Sequence, residues 1–299
     1  MPVTASGTPY TVYSADLGVH GMCYWGVADA HVGDADLTTI LYAHGAGGAA
    51  DQFASLSAWQ GMRDQVIDRG WAWIEGRGGT DSQSWANASA RAAYPAYLAH
   101  VEGILSVGEL FLLGRSMGGL ITAWLYAMSS LASRFAGWIN NSGVSTLFTG
   151  TESGSKNTDA ASSYYFSPTV WTAWGATDMA TMHTAADAYA PEDWDASVWG
   201  GKNILCCYGD ADTTVPWSTR GAETLRVKWA GLPAIDQVAV LPGGGHSPPN
   251  ASYSQVTPMV EFILEVLGET PEPPVPKTVY RRLSSWLMQD GDRYQLTRQ

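Results

Sequence analysis

Apolar and polar residues alternate with two different periods along this chain, and the period changes at glycine-rich junctions. Short apolar runs bounded by glycine are typical of buried strands, whereas apolar residues at every third or fourth position are typical of helices. Two early strands are predicted near residues 10–13 and 22–25, and from residue 38 onwards strand, loop and helix repeat in that order. The later predicted strands are 38–42, 71–74, 110–113, 138–139, 204–207 and 237–241, and the predicted helices are 51–68, 90–105, 117–128 and 256–267.

This alternation predicts an α/β protein whose mostly parallel central sheet is flanked by helices on both faces. In sheets of this kind, ligand-binding and catalytic groups lie at the carboxyl ends of the strands. The glycine-rich and polar clusters of this chain follow predicted strands, and so fall at those ends. The pattern therefore favours an enzyme over a scaffold protein.

Two stretches do not show the alternation of predicted strands and helices. Residues 143–200 are rich in serine, threonine, alanine and aromatic residues, which predicts an aromatic-rich, helical lid insertion rather than a plain solvent loop. Residues 270–277 are rich in proline and predict an extended linker. Residues 278–299 then form a C-terminal segment with an Asp-Gly pair typical of a hairpin turn, to which we assign docking or assembly. The α/β domain itself is predicted to span residues 1–269.

Composition narrows the classes of function. The chain has 299 residues, of which 45% are hydrophobic and 15% charged, and its net charge of -12 disfavours nucleic acid and anionic membranes as partners. The 3 cysteines, two of them adjacent, predict no disulfide framework, and no cysteine–histidine spacing predicts a metal site or a cofactor. Neither a signal peptide nor a membrane span is predicted. We expect a cytoplasmic protein, or a virion-associated one if the gene belongs to a phage.

The candidate nucleophile is Ser116, in the run Gly114-Arg115-Ser116-Met117-Gly118. A serine hydroxyl reacts only when a base takes its proton and hydrogen-bond donors stabilise the oxyanion that forms. An apolar strand precedes this run and a predicted helix follows it, so the serine lies on a tight strand-to-helix turn. Such a turn admits only small residues two positions before and two after the serine, which the glycines satisfy.

The candidate base is His246, which follows an apolar strand and three glycines that let its loop curl back over the sheet. The candidate acid is Asp212 or Asp210, both in the loop after strand 204–207. We favour Asp212, because the Val-Pro pair behind it anchors the loop, and Asp210 would then cap the turn.

The glycine-rich run 44–48 follows strand 38–42 and suits a backbone that approaches a ligand closely. We predict that the backbone N–H groups of Ala46 and Met117 form an oxyanion hole. The predicted substrate contacts are His44, Gly45, Arg115 and His183, the last of which lies in the lid insertion.

Together these motifs resemble the α/β-hydrolase superfamily, in its serine esterase and lipase-like branch. The chain order Ser116, Asp212, His246 is the order of nucleophile, acid and histidine in that superfamily. The similarity covers about residues 38–267 and includes residues 76–82, which are similar to the loop after the fourth strand in many esterases. The resemblance implies hydrolysis of a carboxylic ester through an acyl-enzyme, with no cofactor.

Two alternatives stay open. One is a peptidase or amidase of the same fold. The other is a phage tail component whose hydrolase domain acts on cell-envelope esters and whose residues 278–299 dock to the virion, because simple esterases seldom carry such an extension. The substrate is expected to be a small molecule or an envelope ester, and the aromatic lid with its modest charge favours an uncharged or apolar one.

Overall fold

A single sheet of eight strands forms the centre of the computed structural model, which describes residues 1–79, 81–147, 168–218, 220–246 and 255–270. Its strands are β1 (Tyr10–Asp16), β2 (Met22–Ala28), β3 (Leu37–Ala43), β4 (Ala72–Gly76), β5 (Val107–Arg115), β6 (Phe135–Asn141), β7 (Asn203–Gly209) and β8 (Ile235–Leu241). The spatial order is β1-β2-β4-β3-β5-β6-β7-β8. Strand β2 pairs antiparallel with β1 and β4, and all other neighbours are parallel.

Helices cover both faces of this sheet. The helices are α1 (Gln52–Ser55), α2 (Gln60–Asp68), α3 (Ala88–Glu102), α4 (Gly118–Ala127), α5 (Pro168–Ala173), α6 (Met179–Ala186), α7 (Glu223–Trp229) and α8 (Val256–Leu267). Buried residues of α3, α4 and α7 share one core cluster, and those of α1, α2 and α8 share the other. The predicted α/β class with its mostly parallel sheet is therefore confirmed.

The central strands β3 and β5 are buried on both faces, which is why they appear in the sequence as short apolar runs. Aromatic side chains fill the spaces between sheet and helices. Trp138 of β6 stacks on Trp199 with ring centroids 5.5 Å apart, and Trp199 in turn packs on Trp229 of α7 at 4.7 Å. These contacts fix the end of the segment between β6 and β7 against the sheet.

The prediction of one helix over residues 51–68 is wrong. Leu56 adopts an extended conformation with ψ 123°, and a 3-10 turn follows it, so α1 and α2 are separate helices. Arg63 explains the break, because its Nη1 donates hydrogen bonds to the carbonyl oxygens of Phe53 and Leu56. Helix α7 was not predicted, since its two buried residues, Leu225 and Trp229, give too short a pattern.

The predicted lid insertion lies between β6 and β7. Its described part contains α5, α6 and three 3-10 turns, whereas its residues 148–167 lie outside the described ranges, as do residues 271–299 of the predicted linker and C-terminal segment. Arg91 of α3 holds the described part, because its guanidinium lies 3.4 Å from the ring centre of Tyr189 and 5.1 Å from that of Trp174. A cavity of about 310 Å³ opens beside these residues. Within the described ranges no helix is long and apolar enough to cross a bilayer.

Candidate active site

The turn that carries Ser116 joins β5 to α4 and is strained at the serine itself. Ser116 has a φ of +51°, a left-handed conformation that side chains other than glycine rarely adopt. A Cβ atom on Gly114 would lie 2.1 Å from Thr122 Oγ1, and one on Gly118 would lie 2.1 Å from the carbonyl oxygen of Ala43. A side chain at either position would clash with these atoms, so both positions require glycine. The turn presents the serine at the carboxyl end of the sheet.

A continuous hydrogen-bond chain runs from Ser116 to Asp212. Nε2 of His246 lies 2.9 Å from Ser116 Oγ, and Nδ1 of the same ring lies 2.8 Å from Asp212 Oδ2. The other carboxylate oxygen of Asp212 accepts the backbone N–H groups of Thr214 and Val215, each at 2.9 Å. Three residues that are far apart in sequence are thus joined at the ends of β5, β7 and β8.

Asp212 keeps its negative charge in this environment. Burial by itself raises the pKa of the carboxyl group, but the hydrogen bonds from His246, Val215 and Thr214 outweigh it and hold the pKa below its ordinary value. An ionised carboxylate only accepts hydrogen bonds, so Nδ1 of His246 carries a hydrogen. Nε2 of the neutral ring is then free to accept the hydroxyl hydrogen of Ser116.

Asp210 supports the loop that carries His246. Its Oδ1 accepts the backbone N–H of Gly243 at 2.5 Å, which ties the loop after β7 to the loop after β8. A backbone bond from the Ala211 N–H to the Gly244 carbonyl, at 2.9 Å, joins the same two loops. The structure thus brings Asp212 to the histidine, whereas the Asp210 carboxylate bonds to the loop after β8.

The loop after β3 approaches Ser116 through Gly45. A Cβ atom on Gly45 would lie 3.1 Å from Ser116 Cβ and 3.6 Å from Ser116 Oγ. Ala46 follows in this loop, and Met117 begins the turn into α4. Neither the Ala46 N–H nor the Met117 N–H donates a hydrogen bond to any residue in the described part of the chain. Two backbone donors therefore remain available on the segments that flank the serine.

His44 is buried beneath this loop. Its Nδ1 lies 2.6 Å from the Gly45 carbonyl oxygen and its Nε2 lies 2.9 Å from the Arg77 carbonyl oxygen, so the ring connects the loops after β3 and β4. Burial lowers the pKa of His44, although the two carbonyl groups act in the opposite direction. The side chain holds the loop in place, and a direct substrate contact by His44 stays a prediction.

His183 lies on α6, where its Nδ1 is 2.9 Å from Asp187 Oδ1. It takes no part in the hydrogen-bond chain of Ser116, His246 and Asp212. Its predicted contact with substrate likewise stays a prediction. No group of three or more histidine, cysteine, aspartate or glutamate side chains among the described residues is arranged to hold a metal ion.

Several residues that hold the serine turn gave no signal in the sequence. The Ser116 N–H donates to the Asn141 carbonyl at 3.3 Å, and the Val144 N–H donates to the Ser116 carbonyl at 2.8 Å. The Trp85 N–H lies 3.4 Å from Met117 Sδ. These contacts join segments that are distant in sequence, and no local motif encodes them.

The architecture just described is the α/β-hydrolase fold. Neither a protein-family model nor a curated protein matches the sequence. Among solved structures, a truncated carbohydrate esterase from gut microbiota is similar with a TM-score of 0.63 at 17% identity, over 90% of this chain and 100% of that chain. An S-formylglutathione hydrolase from Agrobacterium tumefaciens is similar with a TM-score of 0.63 at 13% identity, over 88% of this chain and 95% of that chain.

A puromycin-hydrolyzing peptidase of Mycobacterium tuberculosis is similar with a TM-score of 0.63 at 17% identity. The match covers 91% of this chain but only 41% of the peptidase, so this chain corresponds to one part of that protein. These likenesses confirm the predicted fold. A shared fold does not determine the reaction, so the activity of this chain follows from the geometry of its own site.

Proposed function

We propose that the protein is a serine hydrolase that cleaves a carboxylic ester through an acyl-enzyme intermediate. The observation that carries the proposal is the hydrogen-bond chain from Ser116 Oγ through His246 to the buried carboxylate of Asp212. It gives a serine hydroxyl the base and the orienting acid that nucleophilic attack requires. The strained turn at Ser116 supports the proposal, because strain of this kind is retained where a side chain must be held in an unusual position.

In the first half of the reaction, Ser116 Oγ bonds to the ester carbonyl carbon while its proton passes to His246 Nε2. Asp212 stabilises the imidazolium cation that forms. The carbonyl oxygen becomes an oxyanion, and the backbone N–H groups of Ala46 and Met117 donate hydrogen bonds to it. The bond between the carbonyl carbon and the alcohol oxygen then breaks, and the alcohol leaves with the proton from Nε2.

In the second half, a water molecule attacks the acyl-enzyme carbonyl and gives one proton to His246 Nε2. The bond to Ser116 Oγ breaks, the serine recovers that proton, and the carboxylic acid is released. The free enzyme is regenerated, and the net reaction consumes one ester and one water molecule. No redox step or external reagent is needed.

Labelling with a fluorophosphonate probe tests the nucleophile directly. We expect wild type to be labelled on Ser116 and to hydrolyse p-nitrophenyl esters, and Ser116→Ala to lose both properties. Ser55→Ala, which alters an exposed serine at the end of α1, is the matched control and should keep both. A Ser116→Ala protein that still reacts with the probe and turns over the esters at the wild-type rate would refute the proposal.

A peptidase or amidase is the second candidate, and the likeness to the puromycin-hydrolyzing peptidase favours it. The two activities differ in the leaving group, because an amine must be protonated by His246 before it departs, whereas an alkoxide leaves more readily. Comparing p-nitrophenyl acyl esters with aminoacyl-p-nitroanilides on the same enzyme separates them. An ester hydrolase should show a kcat/KM for the esters that exceeds the value for the anilides by more than the difference in their intrinsic reactivity.

A further inference from the structure

Arg115 lies next to the nucleophile in space as well as in sequence. The point at which a Cβ atom on Gly45 would stand is 2.7 Å from Arg115 Nη1 and 3.6 Å from Ser116 Oγ. The guanidinium group and the serine hydroxyl therefore flank the same glycine of the loop after β3. Arg115 is the last residue of β5, so its backbone is fixed by the sheet.

Among the residues that the structure describes, the guanidinium group of Arg115 has no hydrogen-bond acceptor. No carbonyl, hydroxyl or carboxylate in the described part of the chain accepts a hydrogen bond from it, and its Nε is enclosed without a partner. Two other arginines have acceptors for their terminal nitrogens. Arg63 donates to two backbone carbonyls through Nη1, although its Nε also lacks a partner, and half-buried Arg226 forms a two-pronged ion pair with Asp236. Arg115 is half-buried, and of its guanidinium nitrogens only Nε is enclosed without a partner, so Nη1 and Nη2 are open to a ligand that supplies acceptors.

The charged and polar groups near Arg115 already have other hydrogen-bond partners. Asp212 attracts Arg115 from a distance, but its oxygens accept hydrogen bonds from His246 and from two backbone N–H groups. Tyr42 donates its hydroxyl hydrogen to Gln52. Burial lowers the pKa of Arg115, yet a guanidinium group remains charged at every pH at which the protein is folded. A permanent positive charge with unused donors thus stands beside the reacting hydroxyl.

We infer that Arg115 binds an anionic group of the substrate, so that the preferred ester carries a carboxylate a few bonds from its scissile carbonyl. This inference rests on the proposed function. Because Nη1 and Ser116 Oγ flank one residue, a carboxylate paired with the guanidinium group lies one or two carbon atoms from the ester group. Half-esters of short dicarboxylic acids and esters of short hydroxy acids have this spacing. The sequence favoured an uncharged substrate instead, on the basis of the lid aromatics.

Two pairs of esters test the inference and distinguish the acyl side from the alcohol side. Monoethyl succinate carries the carboxylate on the acyl side, and ethyl 4-methylpentanoate is its neutral isostere. Acetoxyacetate carries the carboxylate on the alcohol side, and isobutyl acetate is its neutral isostere. Wild type should show the higher kcat/KM for the anionic member of at least one pair, and that pair shows which side of the ester the carboxylate occupies.

Replacing the arginine should remove this preference selectively. In Arg115→Met we expect kcat/KM for the favoured anionic ester to fall about 10- to 100-fold, the range of one charge-assisted hydrogen-bonded pair, with a much smaller change for its isostere. Arg115→Lys should keep part of the preference. Arg134→Met is the matched control, since Arg134 is a surface residue paired with Glu102. Equal losses on the charged and neutral esters, or a wild type without any preference, would overturn the inference.

Calorimetric titration with succinate separates this inference from the proposed function. Wild type should bind succinate at one site, Arg115→Met should bind it at least about tenfold more weakly, and Arg134→Met should bind it as wild type does. The measurement requires no ester cleavage, so binding without turnover would leave the inference standing while the proposed function fails. Equal affinity in wild type and Arg115→Met would overturn it. If Arg115→Met does not fold, Arg115→Gln provides the same comparison.

Discussion

Asp212 is joined to His246 by a 2.8 Å hydrogen bond, and the aspartate side chain is wholly enclosed while the histidine ring keeps contact with solvent. The carboxylate cannot rotate away from His246 towards another cation, because two backbone N–H groups donate hydrogen bonds to its second oxygen. It therefore fixes the ring orientation and the tautomer that a base acting on Ser116 requires.

Asp212→Asn should lower kcat about 1,000- to 10,000-fold. An asparagine that keeps its oxygen on the two backbone N–H groups presents an NH₂ group to His246, so the ring must accept at Nδ1 and place its hydrogen on Nε2, where it cannot take the Ser116 proton. Steady-state kinetics on a p-nitrophenyl ester measures the loss.

Asp210→Asn is the matched control, because the two aspartates lie in the same loop and the substitution has the same size. Asparagine can still accept the Gly243 N–H through its oxygen. We expect less than about a tenfold effect on kcat. A larger effect in Asp210→Asn than in Asp212→Asn would reverse the assignment of the acid.

Gly118→Ala should disrupt the serine turn. The added methyl group would stand 2.1 Å from the Ala43 carbonyl oxygen, which belongs to the sheet and cannot move freely. We expect the free energy of unfolding to fall by about 1–3 kcal/mol and esterase activity to be lost, because the turn must shift Ser116 away from His246. Urea unfolding and ester turnover measure the two effects.

Gly61→Ala provides the comparison for that substitution. Gly61 lies in α2, and a methyl group there would meet Val256 Cγ2 at an ordinary 3.6 Å. Alanine also favours helix more than glycine does, so stability should be unchanged or rise by up to about 1 kcal/mol. A similar loss in both variants would show that the contact with Ala43 is not the cause.

The sequence predicted most of the sheet because buried parallel strands leave a strong apolar signal. It shortened β5 to residues 110–113, whereas the strand is Val107–Arg115, because Gly108 and Glu109 at its start and Gly114 and Arg115 at its end interrupt the apolar pattern. The helix over 51–68 was predicted as continuous because the spacing of apolar residues is not changed by one residue in an extended conformation. Leu56 is held by Arg63, and that contact depends on the folded chain.

The candidate site was predictable where one short motif determines one position. The glycines around Ser116 and the glycine-rich loop before His246 are local in sequence, so both residues stood out. The position of the Arg115 guanidinium group beside Gly45 was not predictable, because Gly45 lies 70 positions away and is brought alongside by the β3–β5 pairing. Pairings of that kind follow from topology and leave no local pattern.

Arg91→Ala should loosen the described part of the predicted lid insertion from α3. The guanidinium group lies against Tyr189 and Trp174, and its Nη1 donates to the Ala86 carbonyl at 2.7 Å. Losing these contacts should cost about 1–2 kcal/mol of local stability. Hydrogen exchange of α5 and α6 should accelerate, while that of β5 stays as in wild type. Arg134→Ala, on the surface, is the control and should change neither rate.

Deleting residues 278–299 should leave ester turnover unchanged. The eight strands and the hydrogen-bond chain of Ser116, His246 and Asp212 all lie before residue 270. If the segment docks the protein to a virion, as the sequence suggests, the deletion should abolish assembly with the virion and leave ester turnover unaffected. Kinetics and thermal unfolding of the truncated chain test the first expectation, and lost turnover would show that the segment belongs to the catalytic domain.

Glu75 should make the protein less stable as pH rises. Its buried carboxyl group accepts the backbone N–H groups of Phe53 and Ala54 at the start of α1, at 2.6 and 2.8 Å. Burial raises its pKa from 4.5 to about 8, and the nearby charge of Asp51 adds to this, although the two N–H groups act in the opposite direction. The folded state therefore holds a proton on Glu75 that the unfolded chain releases at lower pH.

The sign follows from that difference in pKa. Stability from the protonated group is complete below the unfolded pKa of 4.5 and is lost as pH rises through the folded pKa of about 8. Glu75 contributes a slope of at most about 1.4 kcal/mol per pH unit to the free energy of unfolding in that interval. Glu75→Gln cannot titrate, so urea unfolding at several pH values should show a shallower decline. Glu261→Gln, at an exposed position of α8, is the control for the lost carboxyl group. An unchanged slope in Glu75→Gln would mean that Glu75 is ionised in the folded protein throughout this range.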